Sequence, residues 1–83
     1  MADIYKLQMQ FQQNQNEMIA LRNGVMTLET RYDVLTDQYM NGNIPYDIGK
    51  DQARIKREIN KLKRRYEKLS EQNRKIQLKL QKQ

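Results

Sequence analysis

Residues 37–50 read DQYMNGNIPYDIGK and hold two of the three glycines and the only proline of this 83-residue chain. Helical patterns of apolar residues flank this stretch on both sides. Gly42 suits the left-handed residue that ends a helix, and Pro45 suits a first helical turn, where its missing N–H costs nothing. Asp47 adds an acid where a helix start favours one. The order of these signals predicts a helix over residues 3–40, a turn over 41–45 and a helix over 46–81.

Both flanking segments carry the a/d heptad repeat of a coiled coil. The first repeat runs over residues 4–39, with Asn14 at one core position, and the second runs over residues 48–80, with Gln52 and Asn73 at core positions. The two repeats are out of phase, and the phase changes within the quoted stretch. The change of phase predicts two helices and not one continuous rod.

Asn23-Gly24 is a turn signal inside the first repeat. The heptad phase continues through it without a slip, which indicates a continuous helix that tolerates a glycine at about 1 kcal/mol. A break at this point, giving three helices, is the alternative.

Folding the chain at the turn brings two polar core positions together. In an antiparallel pair each a residue faces a d residue, and placing Tyr39 opposite Ile48 also places Asn14 opposite Asn73. A buried polar layer of this kind sets the register of a coiled coil at some cost in stability. The sequence therefore predicts an all-α protein, a two-helix antiparallel coiled-coil hairpin with its register set by Asn14 and Asn73. A parallel dimer of the second helix is the alternative, because an asparagine at an a position also suits that arrangement.

Positive charge is concentrated in the second half of the chain. Residues 1–44 carry three basic and five acidic side chains, a net −2, whereas residues 45–83 carry 13 basic and five acidic ones, a net +8. Outer c and f positions of the second helix align these charges in a stripe roughly 40 Å long. We call this stripe the basic ridge; its members are Arg54, Arg57, Lys61, Arg64, Lys68, Lys75 and Lys82. It suits docking to phosphates or to an acidic protein, and a merely solvated helix face is the alternative.

The first helix has a second apolar stripe on the side away from the seam. We call it the outer apolar face; its members are Tyr5, Ile19, Met26, Val34 and Met40. A helix with two apolar faces is usually buried between neighbours. We therefore expect two hairpins to dimerise into a four-helix bundle. The second interpretation is a docking face for another protein, where methionines adapt to varied partners.

The composition argues against an enzyme. The chain has no cysteine and no histidine, and it has no glycine-rich phosphate loop. No catalytic, cofactor-binding or metal-binding residues are predicted, and no membrane span or signal peptide is visible. We expect a cytoplasmic protein of a size that suits a bacterium or phage. The predicted function is a non-enzymatic protein–protein interaction module, such as an adaptor, inhibitor, chaperone or assembly scaffold. The alternatives are a nucleic-acid-binding protein that uses the basic ridge and a parallel homodimeric coiled-coil spacer.

A short sequence resemblance points to the same hairpin. Within residues 31–69, a leucine, a tyrosine and then Gly-x-Ile precede a basic heptad tract: Leu35, Tyr39, Gly42 and Ile44. This order resembles the coiled-coil hairpin inserted in large serine recombinases, where the hairpin makes contacts between protein subunits. The resemblance covers less than half of the chain and includes nothing of a recombinase catalytic domain. It therefore implies a hairpin and no further property of that family.

Overall fold

A computed structural model describes residues 3–43 and 47–82, and within these residues the chain forms two α-helices and no strand. Helix α1 spans Ile4–Met40 and helix α2 spans Gly49–Gln81. The helices pack side by side in opposite directions, giving a rod of 62 × 15 × 14 Å. The all-α prediction is confirmed, and the antiparallel packing is consistent with the predicted hairpin.

Helix α1 begins with a side-chain cap and runs without a break. The Asp3 carboxylate accepts the N–H groups of Tyr5 at 3.0 Å and Lys6 at 3.4 Å, which satisfies donors that the first helical turn leaves open. The helix continues through Gly24, where an added Cβ would lie 3.1 Å from Leu62 Cδ1 of α2. The continuous helix is confirmed, the three-helix alternative is wrong, and the glycine lies where α2 approaches closely.

Gly42 ends α1 in a left-handed conformation. Its φ is +72°, its N–H donates to the Tyr39 carbonyl at 3.1 Å, and the Asn43 N–H donates to the Gln38 carbonyl at 2.9 Å. This pair of hydrogen bonds is the Schellman motif, which satisfies carbonyls at a helix end and favours glycine at the left-handed position.

Helix α2 begins at Gly49, three residues after the predicted start. Asp47 and Ile48 lie outside the helix, because the Asp47 carboxylate accepts the Gly49 N–H at 2.8 Å and forms a local turn. The first main-chain bond of the helix runs from the Gln52 N–H to the Ile48 carbonyl at 2.9 Å. Residues 44–46, and with them the predicted role of Pro45, lie outside the described residues.

The core is a single seam between the two helices. Its buried apolar side chains all occupy heptad core positions: Met18, Ile48, Ile55, Ile59, Leu69 and Ile76. Helix α2 supplies most of them, and Leu69 is the most completely buried, at 1% exposure. Each helix therefore buries one side in the seam and exposes the opposite side.

Gly42→Ala is expected to lower the free energy of unfolding by about 1 kcal/mol, because a Cβ is unfavourable at positive φ. A Cβ at this position would meet nothing within 4 Å, so backbone conformation alone accounts for the effect. Urea unfolding followed by circular dichroism measures it. Asn41→Ala is the matched control, since Asn41 is equally exposed but has a φ of −85°. Equal losses in the two variants would contradict the assignment.

Candidate functional site

Asn14 and Asn73 form a buried polar layer within the seam. They are 3% and 5% exposed, and Asn14 Nδ2 donates to Asn73 Oδ1 at 2.9 Å. Asn14 Oδ1 accepts from Gln10 Nε2 at 2.9 Å, and Asn73 Nδ2 donates to the Phe11 carbonyl at 3.3 Å. The pairing predicted from the sequence is therefore present. Its role in setting the register stays a prediction.

The hydrogen bonds that join the layer across the seam link residues that face each other in the observed register. A slip of one heptad would place Asn14 opposite Tyr66 or Leu80, and Asn73 opposite another heptad core position. Each amide would then lose its partner, at about 1–3 kcal/mol for each buried polar group left without one. In the observed register, no buried side-chain nitrogen or oxygen of the described residues lacks a hydrogen bond. This contrast is the physical reason for the prediction that the two amides set the register.

A second polar contact lies nearer the turn and was not predicted. Gln52 Nε2 donates to Thr36 Oγ1 at 2.6 Å, and the same hydroxyl donates to the Tyr32 carbonyl at 3.1 Å. The sequence did contain one indication of this contact, because Gln52 is a polar residue at a core position and needs a hydrogen-bond partner there. Thr36 lies outside the core positions of the repeat, so the heptad pattern did not identify it as the partner.

The outer apolar face is exposed along α1. Its five members, Tyr5, Ile19, Met26, Val34 and Met40, are between 47% and 77% exposed, and Met9 adds another half-exposed side chain. No other element of the described residues packs on them, because α2 occupies the opposite side of α1. The portion from Ile19 to Met40 is about 32 Å long at the helical rise. Large apolar side chains therefore recur at exposed positions along this length of α1.

The basic ridge is exposed along α2, at every one of its predicted positions. Lys61 lies 4.0 Å from Glu58, a weak contact between two exposed groups. No salt bridge among residues 3–43 and 47–82 involves the other members, Arg54, Arg57, Arg64, Lys68, Lys75 and Lys82.

The arginines that do form close ion pairs lie beside the ridge. The Arg65 guanidinium donates to both Glu17 oxygens, at 3.1 and 3.3 Å, and so links the two helices across the seam. Arg74 Nη2 donates to Glu71 Oε1 at 2.6 Å. This hydrogen bond is the main reason why the pKa of Glu71 is below its ordinary value. Glu71 occupies an outer position, so the exposed positive charge of the ridge is densest over residues 54–68 and becomes sparser beyond them.

Three further observations concern a cation–π contact, membrane spans and metal ligands. Lys56 Nζ lies 5.4 Å from the centre of the Tyr32 ring, beside an open groove whose lining mixes both signs of charge. Within the described part of the chain, no helix combines the length and apolar character of a membrane span, and no three side chains group as metal ligands.

No family model, curated protein or solved structure matches this chain.

Proposed function

We propose that this chain is a non-enzymatic, cytoplasmic protein–protein interaction module that dimerises through the outer apolar face of α1 into a four-helix bundle. The observation that supports the proposal is the exposure of apolar side chains on α1, whose opposite side already packs on α2. Covering apolar surface stabilises a complex by about 25 cal/mol for each Å² removed from water. A rod only 15 × 14 Å across has little interior of its own, so it gains more than a larger domain would from a partner.

The net charges of the two helices favour self-association through α1 and disfavour it through α2. Helix α1 carries three basic and four acidic side chains, a net −1, whereas α2 carries 12 basic and four acidic ones, a net +8. Two α1 surfaces can approach around a two-fold axis without strong repulsion, and two α2 surfaces cannot. The dimer keeps both basic ridges on its outside.

An adaptor or assembly scaffold fits this architecture, because the dimer presents the basic ridge twice, once on each hairpin. The parallel spacer is less favoured. It needs a straight chain, whereas α1 ends at the Gly42 turn and packs antiparallel on α2.

The double variant Ile19→Glu/Met26→Glu is expected to be monomeric, because it places four carboxylates in the dimer interface. Sedimentation equilibrium should give the wild-type protein twice the chain mass of 10.1 kDa and the variant the single mass. Gln8→Glu/Gln38→Glu is the matched control, since it adds the same charge to exposed positions of α1 outside the outer apolar face. It should remain dimeric. A monomeric wild-type protein, or a double variant that stays dimeric, would contradict the proposed dimer.

A further inference from the structure

We propose that residues 54–68 of the basic ridge bind the phosphate backbone of duplex nucleic acid without reading its sequence. Five exposed cations lie there: Arg54, Arg57, Lys61, Arg64 and Lys68. They cover about 21 Å of α2 at the helical rise. A duplex presents one phosphate charge for about every 1.7 Å of its axis, so a straight cationic rod of this length can follow several phosphates.

The composition of the ridge favours phosphates over an acidic protein surface. Protein interfaces have an apolar centre enriched in aromatic side chains and depleted in lysine. Among the large apolar side chains that are exposed in the described residues, Leu78 alone belongs to α2, and it lies beyond residues 54–68. This part of the ridge therefore offers charge and hydrogen-bond donors with no apolar anchor.

The packing of α2 favours a duplex over a single strand. Proteins that bind single strands stack the bases on exposed aromatic rings. The sole aromatic residue of α2, Tyr66, is half-buried at a heptad core position. Stacking along the ridge is therefore unavailable, whereas contact with phosphates needs only the cations.

The width of the rod is consistent with contact to the phosphates alone. A helix reads bases by entering the major groove, which is about 12 Å wide. Helix α2 is packed along its length against α1, and the pair measures 15 × 14 Å across. The proposed contact places the rod over the groove, with the cations of the ridge on the phosphates along its edges. The same packing buries the apolar side of α2, so that side cannot insert into a lipid surface as an amphipathic membrane helix does.

Nucleic-acid binding and dimerisation are separate claims, because the basic ridge lies on α2 and the outer apolar face lies on α1. A variant can therefore lose one property and keep the other. Sedimentation without nucleic acid tests the dimer, and nucleic-acid binding tests the ridge.

Fluorescence anisotropy with labelled duplex DNA, duplex RNA and single-stranded DNA of mixed sequence tests the proposal, with anionic vesicles as a further probe. The wild-type protein should bind a duplex, with similar affinity for unrelated sequences, and bind it more tightly than the single strand or the vesicles. Binding to duplex DNA, duplex RNA or both supports the proposal. Absence of duplex binding at low salt, or tighter binding to the single strand or the vesicles, overturns it.

Two variants of equal net charge locate the binding surface. The ridge variant carries Arg54→Gln, Arg57→Gln, Arg64→Gln and Lys68→Gln. The control variant carries Lys6→Gln, Arg22→Gln, Lys63→Gln and Lys79→Gln, at exposed positions outside the ridge. The ridge variant should lose at least about tenfold in duplex affinity, and its salt dependence should become shallower by about 3.6 in log–log slope, at 0.9 for each phosphate contact removed. The control variant should keep a slope close to that of the wild-type protein. Equal losses in the two variants, with circular dichroism showing both folded, would mean that net charge and not the ridge drives binding.

Discussion

Replacing Leu69 with alanine is expected to lower the free energy of unfolding by about 2–5 kcal/mol, enough to leave a large fraction of the chains unfolded. Leu69 is 1% exposed and lies in the middle of the only seam of the described fold. A two-helix rod has no second layer that could collapse into the space left by the missing methyl groups. The loss should therefore include a cavity contribution as well as the lost burial.

Urea unfolding followed by circular dichroism measures this effect, and Leu78→Ala is the matched control. Leu78 lies on the same helix and loses the same atoms, but it is 43% exposed and occupies an outer position. Its substitution should change the stability by less than about 0.5 kcal/mol. Comparable losses in the two variants would mean that α2 buries both sides, and the assigned seam would be wrong.

Removing one amide of the asparagine layer is expected to be costly, and removing both is expected to restore stability. Asn73→Leu removes the 2.9 Å acceptor of Asn14 Nδ2 and the side-chain donor that the Phe11 carbonyl has in addition to its helical hydrogen bond. Buried groups left in this way cost about 1–3 kcal/mol. The double variant Asn14→Leu/Asn73→Leu removes the amides from both helices and should equal or exceed the wild-type protein in stability.

The same double variant should form more than one assembly, because the buried asparagine layer no longer penalises a slipped register. Sedimentation velocity should show one species for the wild-type protein and a mixture for the double variant. Asn60→Leu, an exposed change on the same helix, serves as the control and should leave both stability and assembly unchanged. A double variant with a single species of wild-type mass would contradict the role of the layer in setting the register.

The parts of the fold that follow from spacing were predictable from the sequence. The heptad phase locates the seam, and counting back from the turn places Asn14 opposite Asn73 without further information. The later start of α2 was not predictable in this way, because it depends on which backbone N–H the Asp47 carboxylate meets. The Thr36–Gln52 contact likewise depends on a side chain outside the core positions.

The candidate surfaces were also only partly predictable from the sequence. The spacing alone predicted which residues of α1 and α2 face away from the seam, since each outer position is opposite a core position. The outer position of Glu71, beyond the densest part of the basic ridge, also follows from the spacing. The Arg74–Glu71 ion pair requires a particular choice of side-chain rotamers, on which helical spacing carries no information, so this pair had to come from the structure.

The Schellman turn at Gly42 has a consequence for how chains can exchange parts. Every hydrogen bond and apolar contact of the seam would be made equally well if α1 of one chain packed on α2 of another, as in a domain-swapped dimer. The two arrangements differ only in the segment that joins Met40 to Gly49. The contacts of the seam therefore supply most of the stability, but they are the same in the hairpin and in the swapped dimer. Which of the two forms is populated depends on the connecting segment, which begins at the left-handed Gly42.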